Sequence, residues 1–469
     1  MSGLAVELAL GALVLVVFAV GLVAPRDDAR RIGVIAAVGL VVVLAVALRA
    51  EPGPVLFDGM FVQDELALFA KRLFVAATIL GVLGALALRP AAFARRALEY
   101  YLSLLASLLG MLVLASARDL VLLFVAFELM SIPLYIMTGF LKREPEAVEA
   151  ALKFFLVGTV SSAVLAYGLS FVYGIAQTTA IAGIGAALGE GHPLMILGMV
   201  LTLAGLGFKI AAFPFHMWVP DAYEAANTPF VAWLSVAPKA AGFIAIFRLY
   251  VEGVGDQALF LVPLAAGLAA VTIVAGNLMA IPQQNVKRLL AYSGVAHIGY
   301  MLVGLAAVSV SGVAMMLFYL VAYLFGNMGA FLVVEAVAQS EGSESVGAYR
   351  GLAQRSPILA LAMLLCLLSL GGIPFVAGFW AKLYVFWAAA EQGLYWLVIV
   401  GAILTVVALF YYLLIAKRMY IDAPSRSGPI AVTPLLALSI LICTAGVVVM
   451  GVYPKPWVMV ALRVAATLF

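Results

Sequence analysis

The sequence predicts an all-α polytopic membrane protein of about fourteen transmembrane helices, and three observations carry that expectation. Of 469 residues, 66% are apolar and 10% charged. The mean hydropathy is +1.19, beyond what a water-exposed globular surface tolerates, so a water-soluble enzyme is excluded. The apolar residues come in long runs rather than in alternation, so helices and not a closed barrel must satisfy the backbone in lipid. At about 20 residues per crossing, the length accommodates roughly fourteen spans and no separate soluble domain, so 1–469 is read as one integral membrane domain.

Apolar runs bounded by charge clusters place the elements. The first six spans lie near 4–24, 32–49, 70–88, 98–115, 119–140 and 150–173. The next eight lie near 193–213, 229–250, 258–280, 289–308, 312–338, 357–387, 394–416 and 432–453. The first carries Glu7 where a leader would be basic, and no small-residue cleavage site precedes Pro25-Arg26, so it reads as a retained helix rather than a signal peptide. Lysine and arginine distribution sets the orientation. One set of loops holds Arg26, Arg30, Arg31, Arg89, Arg95, Arg96, Lys142, Arg143, Lys287, Arg288, Arg350, Arg355, Lys417, Arg418 and Arg426. The opposite set holds only Arg49, Lys71, Arg72, Arg118, Arg248, Lys455 and Arg463, beside an acidic segment from Glu51 to Glu65. Both termini are therefore expected on the periplasmic side.

Composition excludes several functions. Cys366 and Cys443 stand alone, without the spacing of an iron–sulfur or zinc site. His192, His216 and His297 fall in different segments, so haem ligation is not expected. The net charge of +3 contains no basic run, which excludes nucleic acid as a partner.

The residues that carry chemistry are those that do not belong in lipid. Lys153, Lys209, Lys239, Lys382 and Glu128 all fall within spans. A charge at the bilayer centre costs about 2.5–3.5 kcal/mol on an insertion scale, so five of them imply a polar interior. For Lys153 a plainer reading stands beside this one, in which it snorkels to the surface from the first turn of its helix. A buried lysine whose carboxylate partner moves can alternate between holding and releasing a proton. Hard metal cations want several oxygen ligands, and one carboxylate among several ammoniums suits them poorly. A proton relay fits better than metal transport.

Two spans also carry breaks. The seventh reads Gly205-Leu206-Gly207-Phe208-Lys209-Ile210-Ala211-Ala212-Phe213-Pro214-Phe215-His216, and the twelfth reads Gly371-Gly372-Ile373-Pro374-Phe375-Val376-Ala377-Gly378-Phe379-Trp380-Ala381-Lys382. Glycine, proline and lysine in one span, recurring five spans later, point to a transporter built from internal repeats with polar sites at mid-membrane. A plain proline kink is the alternative.

Four phrases carry a family resemblance: Phe127-Glu128-Leu129-Met130-Ser131-Ile132-Pro133, His216-Met217-Trp218-Val219-Pro220-Asp221-Ala222-Tyr223-Glu224, Ala237-Pro238-Lys239, and Lys287-Arg288-Leu289-Leu290-Ala291-Tyr292-Ser293. With them the chain resembles, over nearly its whole length, the antiporter-like membrane subunits of respiratory complex I. Tyr223-Glu224, Ala-Pro-Lys and a lysine at 382 favour the subunit N branch of bacterial NADH:quinone oxidoreductase. One departure is Ala225-Ala226-Asn227-Thr228-Pro229, where family wording is closer to Gly-Ala-Pro-Thr-Pro.

The resemblance implies two inverted five-helix repeats with broken helices 7 and 12. Residues 1–96 then hold helices 1–3, 97–251 the first repeat (helices 4–8), 257–420 the second (helices 9–13) and 430–469 helix 14. It implies that Glu128 pairs with Lys209, that Lys239 is the centre of a hydrated axis and that Lys382 is the relay residue of the second repeat. His216, Tyr292 and Lys153 match secondary polar positions. Protons would enter to Lys239, pass to Lys382 and leave outward as the Glu128–Lys209 charge state changes. The chain would be an enzyme only as a subunit of a bacterial inner-membrane translocase. NADH, FMN, iron–sulfur clusters and quinone would belong to partner subunits, with no cofactor or metal here. Other membrane subunits, lipid and protons are the implied partners. A cation/proton antiporter subunit of Mrp type or of a membrane-bound hydrogenase, and a passive scaffold, are the competing readings.

Overall fold

The structure is a computed structural model, and it describes residues 2–23, 29–88, 93, 95–188, 192–254, 262–424 and 426–469. Arg26, Arg89 and the boundary expected at 257 lie outside the described residues. The chain runs through α1 (Ala5–Val23), α2 (Ala29–Arg49), a hairpin of β1 (Val55–Leu56) and β2 (Phe61–Val62), then α3 (Glu65–Ala85) and α4 (Ala97–Ser116). It continues through α5 (Leu120–Thr138), α6 (Pro145–Ala176), α7 (Pro193–Ile210), α8 (Trp218–Ala225), α9 (Thr228–Leu234) and α10 (Ala237–Ile246). The remainder is α11 (Val262–Ala280), α12 (Val286–Ala306), α13 (Val310–Glu341), α14 (Pro357–Gly371), α15 (Ala377–Glu391), α16 (Tyr395–Tyr420), α17 (Pro434–Val452) and α18 (Lys455–Ala465). Among the described residues, thirteen helical segments are long and apolar enough to cross a membrane. The span expected near 357–387 is the shorter pair α14 and α15.

Side chains fix where helices begin, by satisfying N–H groups that lack an intrahelical acceptor. Asp64 accepts from Ala67 N at 2.8 Å, and Asp119 from Val121 N and Leu122 N at 2.9 and 3.0 Å. Asn285 does the same for α12 and Ser309 for α13. Proline opens α6, α14 and α17, where its missing N–H costs nothing. The Asp64 cap starts α3 five residues before the apolar run, so Lys71 and Arg72 stand inside a helix rather than in a loop. Lys71 is fully buried and pairs with Glu7 of α1 at 2.6 Å.

Packing divides the chain into two compact units. The first comprises Met1–Ile210, Ala237–Phe260 and Thr467–Phe469; the second comprises Ala211–Val236 and Leu261–Ala466. Residues 211–236, expected with the first repeat, group with the second unit because α8 packs on α12 and α9 on α13. Within the first unit α4 and α5 cross closely at Gly110, where a Cβ would stand 2.4 Å from Met130 N, and Ser107 Oγ donates to Met130 O at 2.7 Å. Within the second, the 32-residue α13 is nearly all buried and touches α9, α12, α14, α15, α17 and α18.

The first unit also holds a buried ion cluster. Arg248, completely buried in a π-helical turn (Phe247–Glu252) after α10, donates to both oxygens of Asp64 at 2.6 and 2.7 Å and to Glu252 at 2.7 Å. Arg118 completes it, 3.2 Å from Asp64 and 2.7 Å from Glu252. Burial pushes the Asp64 carboxyl up, but the adjacent Arg248 guanidinium outweighs it and holds the group below its ordinary range. A carboxyl depressed only in the fold contributes stability above its unfolded pKa of about 3.9 and loses it as pH falls through the folded value. Asp64→Asn leaves a buried guanidinium with half its partners, a loss of about 3–5 kcal/mol. Thermal unfolding of the purified assembly should show that loss at pH 7 and a smaller difference from wild type as the pH approaches 3.

Candidate functional site

In the first unit the site is built on one turn of α5. Glu128 and Ser131, three residues apart, share a helix face. Lys209, buried in the last turn of α7, donates to Ser131 Oγ at 2.8 Å, and Ser131 in turn donates to Phe127 O at 2.6 Å. The ammonium also lies 5.4 Å from the centre of the Phe127 ring, within cation–π range. Glu128 accepts from Ser162 Oγ of α6 at 2.5 Å. The carboxylate and the ammonium thus each end on a serine, and Glu128 reaches Lys209 through its field rather than by direct contact.

Lys239, also buried, is the third residue of α10. Gly242, one turn on, leaves bare the surface against which the Lys209 stem rests; a Cβ there would lie 3.5 Å from Lys209 Cβ and Cγ. Lys209 and Lys239 are therefore neighbours on packed helices. Their backbone settings differ in sign. Lys209 stands in the last turn of α7, at the carbonyl end of its helix dipole, whereas Lys239 stands in the first turn of α10, at the opposite end of its own. The start of α10 exists because Pro238 has no N–H to offer Leu234 O, and the chain turns at Ser235–Val236. The eighth span was read from sequence as continuous; Pro238 was the signal of its break. The seventh ends at Ile210 with Ala211 at φ +64°, four residues before Pro214, whose missing N–H leaves Ile210 O without its helical donor.

In the second unit Lys382 of α15 reaches back to the end of α14. Its ammonium donates to Leu370 O at 2.9 Å and lies 3.5 Å from Gly371 O and 4.6 Å from the Tyr300 ring centre. Gly372 at φ +79° closes α14, with Ile373 N donating to Leu368 O. A cation on such an end is favoured by hydrogen bonds and helix dipole together. Hydroxyls extend outward from it: Asn277 lies between Tyr300 and Tyr411, and Thr405 donates to Tyr300 at 3.3 Å. His297 bridges Tyr319 at 2.8 Å and Tyr412 at 3.3 Å, and Tyr412 shares a 2.5 Å hydrogen bond with Ser293.

His216 and Tyr292 come together in this unit, with ring centres 6.4 Å apart, and Phe213 stacks on His216. Beside them Arg288 binds Asp221 and Glu224 at 2.9 and 2.8 Å, and Lys287 binds Glu344 at 2.9 Å and Ala226 O at 2.7 Å. Two of the recognisable sequence phrases are thus the two halves of one salt-bridged joint. At the departure noted above, Asn227 caps α9 by accepting from Phe230 N. Lys153 differs from the other site lysines in its exposure. It is half-exposed two turns into α6, paired with Glu149 at 2.8 Å, so the first-turn snorkel does not describe it either. Sequence reasoning missed Ser131, Ser162 and the His297 network. Helical spacing of Glu128 with Ser131, and of Ser293, His297 and Tyr300, was the available signal.

Residues 117–408, which contain Glu128, Lys153, Lys209, His216, Lys239, Tyr292 and Lys382, match the family described as NADH:quinone oxidoreductase/Mrp antiporter, transmembrane region. The chain belongs to that family. Among its members, NADH-quinone oxidoreductase subunit N of Moorella thermoacetica is 42% identical over 99% of this chain and 98% of its own length. The subunit N of Desulforamulus reducens is 41% identical over 97% and 96%. A chain of respiratory complex I from Thermus thermophilus, solved with bound aureothin, superposes with a TM-score of 0.83 at 32% identity, covering 97% of this chain and 98% of that one. A chain of the Mrp complex from Dietzia shares the fold at 22% identity, with a TM-score of 0.86 and 99% and 97% coverage.

A hydrogen bond to a charged group contributes about 1.5–3 kcal/mol. In a double-mutant cycle on the purified assembly, Ser131→Ala and Lys209→Gln should couple by about that amount. Glu128→Gln and Lys209→Gln should couple less, and the reverse order would mean a direct ion pair.

Proposed function

We propose that this chain is the proton-translocating subunit N of a bacterial NADH:quinone oxidoreductase, carrying protons while NADH oxidation and quinone reduction occur on other subunits. The observation that carries it is the setting of the buried lysines. Lys209, in the last turn of α7, donates to Ser131 Oγ, Lys382 donates to Leu370 O at the open end of α14, and Lys239 lies buried in the first turn of α10. Such groups hold water and pass protons, and they offer no oxygen cage to a metal cation. The full-length likeness to subunit N relatives supports this reading above the Mrp one.

Lys239 receives the proton and Lys382 relays it in the second unit. Glu128 and Lys209, through their serines, set the charge that favours release. His216 and Tyr292 serve as entry-side polar groups and Lys153 as a secondary one. The two five-helix repeats, 97–251 and 257–420, draw support from a recurrent contact: Gly276 of α11 approaches Ala296 N of α12 as Gly110 of α4 approaches Met130 N of α5. Both termini face the periplasm, supported by a basic asymmetry that widens once Lys71 and Arg248 are counted as buried. NADH, FMN, iron–sulfur clusters and quinone belong to partner subunits.

A lysine can lose its proton within turnover and arginine effectively cannot. Lys239→Arg and Lys382→Arg should each lower proton pumping in reconstituted vesicles by roughly 10²-fold, the low end of what a positioned proton-transfer group contributes. Subunit content is checked by gel. Normal pumping by both normally assembled variants leaves the scaffold reading.

A further inference from the structure

The ends of three spans enclose a cavity that the relay does not use. Ala97 opens α4, Thr138 closes α5 and Pro145 opens α6, so the connecting residues lie where bilayer gives way to water. Among the described residues, a cavity of about 310 Å³ there is lined by Arg95, Arg96, Lys142, Arg143, Phe140 and Leu141, with Glu144 as its one acid. All four cations are exposed, and none is ion-paired among the described residues.

Basic loop residues beside a span are ordinarily solvated and scattered. These converge on a single concavity. Beside it the buried rings of Phe93, Tyr100, Tyr101 and Phe140 interlock, with centres 5.0–6.2 Å apart. From its mouth an apolar face leads toward mid-membrane: Ile136 and Ile132 of α5 and Val148, Leu152 and Phe155 of α6 are all exposed.

We propose that this cavity binds the phosphate of an acidic phospholipid, whose acyl chains lie along the α5–α6 face. Guanidinium forks match phosphate oxygens in geometry and charge. A headgroup bearing its own cation would meet four more, so zwitterionic lipids are disfavoured.

The test uses the purified assembly in phosphatidylcholine nanodiscs doped with photoactivatable phosphatidylglycerol, with crosslinked peptides mapped by mass spectrometry. Labelling should concentrate on 93–99 and 140–148. It should fall roughly tenfold or more in Arg96→Gln/Lys142→Gln, as two membrane-surface charges are removed. The charge-keeping variant Arg96→Lys/Lys142→Arg should label normally, which separates charge from folding. Equal labelling by a photoactivatable phosphatidylcholine, or unchanged labelling in the neutralised variant, overturns the proposal. So does full displacement by millimolar inorganic phosphate, which would assign the site to a soluble anion, or crosslinking of these segments to a neighbouring protein subunit in place of lipid.

Discussion

An ammonium inside a bilayer must find oxygen, and nearly every unusual feature of this chain follows from that requirement. A continuous helix offers none, since its carbonyls are committed to its own N–H groups. A broken helix frees several. Lys382 takes the open end of α14, and Lys209 occupies the end of α7 while leaning on a serine. The glycines, prolines and left-handed residues beside these lysines are what create those ends. Helix breaking and charge burial form one device.

The same logic separates the lysines by role. Lys209 and Lys382 sit at carbonyl-rich ends that favour a held positive charge. Lys239 sits in the first turn of α10, the helix-dipole end that opposes one. On the function proposed above, neighbouring lysines on packed helices in such opposite settings pass a proton rather than store it. The carboxylates follow a different rule. Asp64 and Glu252 neutralise Arg248 and Arg118 directly, in a cluster that fixes the packing of α3 and α10, whereas Glu128 is held off its ammonium by serines and remains available to change state.

Much of this was legible in the sequence because the bilayer forbids so much. Composition and apolar run length sufficed for the fold class, since few ways exist to satisfy a backbone in lipid. Glu128, Lys209, Lys239 and Lys382 stood out as costly residues with no surface to reach. Contacts were not legible. That Lys71 is buried depends on a cap at Asp64 and on Glu7 some sixty residues earlier, and periodicity carries no such information. Lys153 already had a plainer reading in the sequence, but its ion pair with Glu149, one turn away, was not legible there. Serine and tyrosine partners escaped notice because hydroxyls are common in membrane helices and only three-dimensional proximity gives His297 its ring of phenols.

The central claim is that a lysine held on an open helix end exchanges its proton during turnover. Nitrogen NMR of the assembly in lipid, with ¹⁵N-labelled lysine side chains and the Lys382 signal assigned by its loss in Lys382→Arg, observes this directly. The account predicts an ammonium resonance at rest that is partly replaced by a neutral-amine resonance when NADH and quinone are supplied, and that recovers when substrate is exhausted. A Lys382 signal that stays ammonium throughout turnover would contradict it.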